Sequence, residues 1–322
     1  MIGGSGFIGT RLVKRLLNAE HNITIIDKTN SKEYSSLWKK ADVRDLESLR
    51  KTIDKTHRVI YNLAAEHRDD VRPKKLYNEV NVDGARNVCQ VAEEKGIQHI
   101  IFTSSVAVYG FAPPDTDETG IINYFNDYGR TKWLAECVYR EWYDKEPLNR
   151  TLMIVRPTVV FGEGNRGNVY NLLNQIVKNR FVMVGNGKNE KSMAYVENVA
   201  AFLEFSLNVQ GYHLYNYVDK PDYDMNTLVH EVRKILGKND VSIRKIPYFL
   251  GISTGYAFDL LSVFSRIPPV ISSMRIRKFC SNSSFERTIP DTLFAPVFSL
   301  HDGLKRTILY DFHTENGQNN AS

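Results

Sequence analysis

Three classes of protein are disfavoured by what this 322-residue sequence lacks. Its three cysteines, Cys89, Cys137 and Cys280, are far apart, so we expect no disulfide framework, reduced thiols and no bound metal. No run of 18 uncharged apolar residues is present, which argues against a membrane-spanning helix. The 42 Lys and Arg residues exceed the 37 Asp and Glu residues by only five, so we expect no nucleic-acid partner. The composition predicts an ordinary globular protein of the cytoplasm.

Apolar residues are also scarce ahead of a glycine-rich loop at the start of the chain. Residues 3–9, GGSGFIG, have the spacing G-x-x-G-x-x-G and lead into an amphipathic pattern. Glycines let the backbone approach a dinucleotide diphosphate, and a helix N-terminus adds free N–H groups. A strand of about five or six residues normally precedes such a loop, but only Met1 and Ile2 do so here. We therefore expect an incomplete first strand and a natural protein that begins several residues upstream.

An acidic residue follows at the distance expected for a cofactor contact. Asp27 ends the apolar segment 22–27 and lies 18 residues after Gly9, close to the spacing of a carboxylate that holds adenosine ribose hydroxyls. A carboxylate there disfavours a 2′-phosphate, so the sequence favours NAD over NADP. The alternative interpretation, a strand-end aspartate without a ligand, stays open at this point.

Apolar strands and amphipathic helices alternate from residue 6 to residue 157. This alternation predicts an α/β protein with a Rossmann-type, doubly wound parallel sheet. Beyond residue 160, clusters of glycine and asparagine loosen the pattern. We predict an NAD-binding domain over 1–160, a smaller and partly interleaved substrate-binding lobe over 161–312, and a polar tail over 313–322.

Three residues form a candidate catalytic set. Tyr128 and Lys132 have the spacing Y-x-x-x-K, which puts both on one face of a helix. A nearby ammonium and an oxidised nicotinamide would lower the tyrosine pKa from about 10, so that the phenolate could act as a base. Ser105 follows a predicted strand and could hydrogen-bond the same substrate oxygen. Alone, Y-x-x-x-K is a weak signal, but together with the glycine loop and Asp27 it indicates a redox site.

These motifs together resemble the extended short-chain dehydrogenase/reductase family, which includes the NAD-dependent epimerases and dehydratases. The resemblance extends from residue 3 to about residue 310. It implies catalytic roles for Ser105, Tyr128 and Lys132. The cofactor-binding residues that it implies are Gly3, Gly6, Phe7, Ile8, Asp27, Asp42, Val43, Leu63, Ala64, Ala65, Asn81, Tyr128, Lys132 and Pro157.

Within the family, the residues after Ser105 favour one reaction. Sugar-nucleotide dehydratases carry an Asp-Glu pair directly after the catalytic hydroxyl, whereas this chain has Val106 and Ala107, which cannot transfer a proton. Transient oxidation in a 4-epimerase needs no such pair. Segments 65–71, 165–173 and 215–222 resemble bacterial 4-epimerases that interconvert GlcNAc and GalNAc on diphospho-undecaprenol for O-antigen synthesis. The alternatives are a UDP-GlcNAc or UDP-glucose 4-epimerase, a net NAD-dependent dehydrogenase or reductase, and a non-catalytic NAD-binding regulator.

Five residues are candidates for binding the sugar-diphosphate substrate: His67, Arg68, Arg166, Asn168 and Tyr195. A planar guanidinium suits phosphate oxygens, which favours the arginines. Each candidate also has a plainer interpretation, as a charged loop for the first two, turn chemistry for the next two and core packing for Tyr195.

An aromatic and apolar segment near the C-terminus suggests contact with a membrane surface. Segment 246–271 precedes Arg275, Arg277 and Lys278, and contains Arg266. Apolar aromatics beside basic residues suit an anionic interface, although an ordinary lobe helix fits equally well. The resemblance favours peripheral contact with the cytoplasmic face of the inner membrane, and it implies a possible homodimer through helices at about 77–95 and 127–143.

Overall fold

The structure is a computed structural model that describes residues 1–68, 71–238, 243–265 and 272–317. The helices are α1 Phe7–Asn18, α2 Leu46–Thr52, α3 Lys75–Tyr77, α4 Gly84–Lys95, α5 Asp127–Asp144, α6 Asn168–Val177, α7 Val196–Phe205, α8 Met225–Ile235, α9 Tyr248–Ser265, α10 Ser273–Cys280 and α11 Leu300–Gly317. The strands are β1 Ile25–Asp27, β2 Trp38–Lys40, β3 Val59–Asn62, β4 His99–Thr103, β5 Thr151–Pro157, β6 Val159–Phe161, β7 Val182–Val184, β8 Glu190–Tyr195, β9 Tyr212–Tyr217, β10 Asp219–Asp224 and β11 Arg244–Ile246.

The main sheet is parallel and is joined at its centre by one residue. Strands β2 and β1 pair with each other, and β3, β4, β5 and β9 form a second parallel group. Ile2 makes parallel bridges to Ile26 on one side and Asn62 on the other. Its backbone N–H donates to Tyr61 O at 2.8 Å, and its carbonyl accepts from Leu63 N at 2.9 Å. The strand order is therefore β2-β1-Ile2-β3-β4-β5-β9, a doubly wound arrangement.

Alternate residues of the central strands face two different layers of helices. In β4, Ile100 and Phe102 pack in one cluster with side chains of α2, α4 and α5, whereas Ile101 packs on the opposite face with side chains of α1 and α7. This is the pattern of a parallel sheet that is buried on both sides. It confirms the predicted fold class.

The second lobe has its own core beside the main sheet. Strand β8 lies between β10, which is antiparallel to it, and β6, which is parallel. Residues of α6, α8 and α11 pack around this small sheet, and Leu173, Val229 and Leu304 are fully buried or nearly so. Strand β9 and helix α7 nevertheless belong to the main sheet and its layers. The chain thus crosses between the lobes after residue 160, and the boundary predicted there stays a prediction.

Several details differ from the sequence patterns. The helix expected at about 77–95 contains a π-helical segment, Asn78–Asp83, ahead of α4. Helix α11 continues to Gly317, so the first residues of the predicted tail are helical. Within the apolar segment 22–27, only Ile25–Asp27 is a strand, and β3 ends at Asn62, so that Leu63 and Ala64 line the cleft described below. Within the described ranges, no helix is both long and apolar enough to cross a bilayer.

Candidate active site

A cleft of about 1020 Å³ lies at the carboxyl ends of the main-sheet strands. This is the edge at which open parallel sheets bind ligands. The glycine loop, the ends of β1, β3, β4 and β5, the start of α5 and the loop before α6 line it. Predicted cofactor and catalytic residues along its wall are Gly3, Gly6, Phe7, Ile8, Asp27, Asp42, Val43, Leu63, Ala64, Ala65, Ser105, Tyr128, Lys132 and Pro157.

The glycine loop needs glycine at two positions for steric reasons. Gly3 has a φ of +76°, and a β-carbon there would lie 2.6 Å from Ala64 N. A β-carbon on Gly9 would lie 2.7 Å from both Gly3 O and the Gly4 backbone. The loop therefore folds against the end of β3 and against itself. This packing leaves the N-terminus of α1 facing the cleft with its free N–H groups.

Two acidic residues stand at the strand ends near this loop. Asp27 accepts hydrogen bonds from Thr29 N at 2.9 Å and from Ser5 N at 3.2 Å, so its carboxylate connects β1 to the glycine loop. Asp42 accepts hydrogen bonds from the Arg44 side chain, the shorter at 2.7 Å, and this pairing lowers the Asp42 pKa below its ordinary value. The Arg44 guanidinium thus favours the ionised form of the Asp42 carboxyl group, which accepts hydrogen bonds.

The structure brings Ser105, Tyr128 and Lys132 to the same part of the cleft. Ser105 follows β4, and its hydroxyl accepts a hydrogen bond from Ala107 N at 3.2 Å. Tyr128 and Lys132 lie on the first two turns of α5, which begins after Asn126, whose side chain caps the helix by accepting from Gly129 N at 2.9 Å. The strand end and the helix face together define a site for a hydroxyl and its acid–base partners.

Lys132 is fully buried although it lines the cleft. Its ammonium donates to Thr103 O at 2.5 Å and lies 4.3 Å from the centre of the Phe102 ring. Burial lowers its pKa from 10.5 to about 7, and the neighbouring Glu136 carboxylate opposes that shift. A cation held this way has a fixed position and responds strongly to any charge that arrives nearby.

Two predicted site residues lie outside the cleft lining. The Asn81 amide accepts from Glu66 N at 2.8 Å and donates to Glu66 O and to Thr131 Oγ1, so it fixes the loop after β3 against α5. This differs from the expected direct contact with the cofactor. Tyr195 is buried in the core of the second lobe, and its hydroxyl donates to the Glu163 carboxylate at 2.8 Å. This environment is that of the core-packing alternative, and a substrate contact by Tyr195 stays a prediction.

The other four substrate candidates do line the cleft: His67, Arg68, Arg166 and Asn168. The Arg166 guanidinium donates to Asp311 Oδ1 at 2.7 Å and lies over the Tyr170 ring. Because Asp311 is on α11, this ion pair ties the loop before α6 to the last helix. The guanidinium is thus tied to the cleft wall at one side, while the side chain is 58% exposed.

Sequence reasoning missed several cleft residues. The Thr103 and Thr158 hydroxyls are buried at the cleft and lack a hydrogen-bond partner among the described residues. Arg275, which the sequence connected only with a membrane surface, also lines the cleft. The two threonines flank predicted site residues at the ends of β4 and β5, so their position after apolar strands is the signal that could have identified them.

The sheet order, the glycine loop and the Tyr–Lys helix define a Rossmann-fold enzyme with a dinucleotide-binding cleft. The model of the NAD-dependent epimerase/dehydratase family matches residues 1–216, and the chain belongs to this family. NAD is its cofactor. The matched part contains every cleft-lining residue named above except Arg275.

Individual relatives extend the similarity to the full chain. Over 315 residues, the chain is 48% identical to the N-acetyl-α-D-glucosaminyl-diphospho-ditrans,octacis-undecaprenol 4-epimerase of Escherichia coli O157:H7, covering 97% of this chain and 94% of that one. The structure also matches that of a UDP-glucose 4-epimerase from Thermotoga maritima with UDP-glucose, with a TM-score of 0.75, 20% identity and 98% of each chain covered. A Thermus thermophilus UDP-glucose 4-epimerase in complex with NAD matches with a TM-score of 0.72 and 18% identity, covering 96% of this chain and 97% of that one.

The residues present fit a dinucleotide on structural grounds. The glycine loop lines the cleft, and its close packing against β3 and against itself excludes a β-carbon at Gly3 and at Gly9. The Thr103 and Thr158 hydroxyls offer buried hydrogen-bonding groups at the opposite end of the cleft wall. Asp27 and Asp42 supply acceptors for hydroxyl groups between the strand ends.

Proposed function

We propose that this enzyme interconverts GlcNAc and GalNAc on a diphospho-undecaprenol carrier, by transient oxidation at C4 of the sugar. The observation that supports it most is the 48% identity, over nearly the full length of both chains, to the E. coli 4-epimerase of that lipid-linked sugar. NAD, when bound, would supply a reversible hydride acceptor for C4 of the sugar. Inversion at C4 then needs no other redox partner.

Tyr128 is the proposed base in this reaction. Its phenolate takes the proton of the 4-hydroxyl as C4 is oxidised and gives it back as the carbonyl is reduced. Lys132 stabilises the phenolate through its ammonium charge, which the burial of Lys132 makes more effective than it would be in water. Ser105 donates a hydrogen bond to the sugar oxygen at C4, first as a hydroxyl and then as a carbonyl.

The proposed cofactor contacts follow the cleft from end to end. The glycine loop, with Gly3, Gly6, Phe7 and Ile8, faces the diphosphate at the N-terminus of α1. Asp27 holds the adenosine ribose. Asp42 and Val43 would flank the adenine. The strand ends from Leu63 to Ala65 and at Pro157 would contact the remaining cofactor surface. Lys132 would reach the nicotinamide ribose.

Substrate binding is proposed at the mouth of the cleft. Arg166 and Asn168 face the sugar diphosphate from the loop before α6, while His67 and Arg68 face it from the loop after β3. The residues after Ser105 limit the reaction. Val106 and Ala107 begin the short 3-10 helix Val106–Tyr109, and neither of these two side chains can transfer a proton, so elimination of water is not supported.

The enzyme's preference for a lipid-linked substrate is tested directly by a comparison of substrates. Purified enzyme is given GlcNAc-diphospho-undecaprenol or UDP-GlcNAc at equal concentration, and the 4-epimer is measured without added NAD. We expect a higher kcat/KM for the lipid-linked sugar and no net NADH. A higher kcat/KM for UDP-GlcNAc would indicate a soluble nucleotide-sugar 4-epimerase instead, and stoichiometric NADH would indicate a dehydrogenase.

A peripheral membrane contact is proposed on α9. This helix buries Gly251 and Gly255, whereas Phe249 and Leu260 face outward and are 64% and 62% exposed. Soluble helices show the opposite arrangement. An uncovered apolar surface of this kind suits the interfacial region of a bilayer.

The charges around α9 favour an anionic lipid surface. Within 244–261 and 272–280, the basic residues Arg244, Lys245, Arg275, Arg277 and Lys278 are exposed. Asp259 is the one acidic residue in these two ranges, and its carboxylate accepts a hydrogen bond from Ser273 N at 3.0 Å. Because Arg275 also lines the cleft, a bilayer on α9 would lie next to the cleft mouth. Arg266, which belongs to the predicted membrane segment, lies outside the described residues.

A homodimer through α4 and α5 is also part of the proposal and is supported by the family resemblance. Light scattering on the purified protein tests it. We expect the mass of two chains, and the mass of one chain at micromolar concentration would exclude the dimer.

A further inference from the structure

A buried carboxylate lies one helical turn beyond Lys132. Glu136 is 0% exposed, and its two oxygens accept four hydrogen bonds. Oε1 accepts from Ser104 Oγ at 2.6 Å and from Arg156 Nε at 2.8 Å. Oε2 accepts from Arg156 Nη2 at 2.6 Å and from Arg140 Nη2 at 2.9 Å. Every lone-pair direction of the carboxylate is thus occupied.

The ion pair with Arg156 is expensive to bury. Arg156 is itself 1% exposed, and its remaining nitrogen, Nη1, donates to the Tyr109 hydroxyl, which in turn donates to Asn216 Oδ1. Removing both charges from water costs several kcal/mol per ion, so such pairs are often no more stabilising than apolar residues of the same volume. Stability alone is therefore a weak reason for a carboxylate at this position.

The position of Glu136 suggests a different reason. Ser104 directly precedes Ser105 at the end of β4, and Glu136 follows Lys132 on the same face of α5. Two hydrogen bonds therefore connect the same pair of elements. Lys132 donates to Thr103 O, and Ser104 donates to Glu136. Together they fix the strand end that presents Ser105 against the helix face that presents Tyr128.

We propose that Glu136 is a positioning residue, which acts through its hydrogen bond with Ser104 to hold the Ser105 hydroxyl in register with Tyr128 and Lys132. Glu136 itself does not touch the substrate, because Ser104, Arg156 and Arg140 enclose it. The inference rests on the proposed function of Ser105, Tyr128 and Lys132. A displacement of about 1 Å in a reacting group can cost up to about 100-fold in rate, so a small loss of register is measurable.

Two variants remove one hydrogen bond each from the same carboxylate. Ser104→Ala removes the bond on the side of the active site, and Arg140→Met removes the bond on the outer side, where Arg140 is partly exposed. Neither breaks the Glu136–Arg156 ion pair, unlike Glu136→Gln, which leaves the Arg156 charge uncompensated and could prevent folding. Ser104→Thr keeps a hydroxyl and serves as the rescue variant.

The experiment measures kcat, KM, NAD affinity and Tm for the three variants with the substrate that the wild type prefers. We expect Ser104→Ala to lower kcat about tenfold or more, with KM and NAD affinity within about twofold, and Ser104→Thr to restore most of kcat. Arg140→Met should keep kcat within about twofold, even if its Tm falls by as much as that of Ser104→Ala.

Equal kcat values for Ser104→Ala and Arg140→Met would overturn the proposal, as would a failure of Ser104→Thr to exceed Ser104→Ala. Ser105→Ala and Tyr128→Phe are assayed alongside. If those two variants retain wild-type activity, the proposed function has failed. If they lose activity while Ser104→Ala does not, only the role of Glu136 has failed.

Discussion

Helices α5 and α9 are both 18 residues long, but they bury opposite kinds of side chain. Helix α5 buries a lysine and a glutamate, Lys132 and Glu136, in the layer beneath the cleft. Helix α9 buries two glycines, Gly251 and Gly255, and leaves most of its aromatic and aliphatic side chains exposed. Neither pattern is expected for a helix that only stabilises a fold.

The difference shows that each helix is adapted to something besides the core. In α5 the buried charges are paired and face the strand ends. The free-energy cost of removing these charges from water therefore maintains a fixed geometry of chemical groups. In α9 most of the large apolar side chains are exposed, and this exposure is what supports the proposed lipid contact. The following predictions test whether the two helices do have these separate roles.

Replacing Tyr128 should have the largest effect. In Tyr128→Phe the proton acceptor of α5 is lost, and we expect kcat to fall by about 10²- to 10⁴-fold, the usual contribution of acid–base catalysis. NAD affinity and Tm should stay close to those of the wild type. Near-normal turnover by this variant would show that α5 takes no part in the chemistry and that the cleft is a binding site only.

Removing the apolar face of α9 should separate membrane binding from chemistry. In the triple variant Phe249→Ser, Leu260→Ser and Leu261→Ser, we expect binding to vesicles that contain anionic lipid to fall about tenfold or more, since each buried apolar side chain contributes about 1.5–3 kcal/mol. Turnover of UDP-GlcNAc, if measurable in the wild type, should be unchanged. Vesicle flotation and a soluble-substrate assay check the two expectations.

A matched control is available at the opposite edge of the sheet. Leu148 precedes β5, on the edge away from the cleft, and is 98% exposed. Leu148→Ser should leave vesicle binding unchanged. If it lowers binding as much as the triple variant does, or if the wild type does not float with vesicles, α9 is not the lipid contact.

The buried lysine of α5 should make stability depend on pH. Its pKa is about 7 in the folded protein against an ordinary value of 10.5, so between these values the unfolded chain binds the extra proton. Raising the pH through this window should therefore stabilise the wild type relative to Lys132→Met, by at most about 1.4 kcal/mol per pH unit. Urea unfolding of both apo-proteins from pH 6 to pH 10 measures the difference. A constant difference across this range would mean that Lys132 is not buried as described.

The smallest expected effect concerns the buried side of α9. A β-carbon on Gly255 would lie 2.8 Å from the backbone of Ser273 in α10, whereas the neighbouring Ala257 is exposed. Gly255→Ala should destabilise the protein by about 1–3 kcal/mol through overpacking. Ala257→Ser, the control, should change the free energy of unfolding by less than about 0.5 kcal/mol. Equal effects would indicate that α9 and α10 do not pack closely.

Local patterns located cleft residues better than residues whose side chains pair with distant parts of the chain. The glycine loop, Asp27 and the Y-x-x-x-K spacing are short-range signals, and the structure brings those residues to one cleft. Tyr195 and Asn81 could not be placed in this way, since their partners Glu163 and Glu66 come from other segments. Spacing could have identified Glu136, because Tyr128, Lys132 and Glu136 recur every four residues. Its pairing with Arg156 depends on β5 and is visible only in the fold.

Transient oxidation at C4 is the central claim, and the fate of the hydrogen on that carbon tests it. GlcNAc-diphospho-undecaprenol carrying deuterium at C4 is converted by purified enzyme in ordinary water without added NAD, and the GalNAc product is analysed by mass spectrometry. We predict that the deuterium stays on C4 of the inverted sugar, because the hydride that leaves is the one that returns. Product carrying solvent hydrogen at C4 would contradict this mechanism.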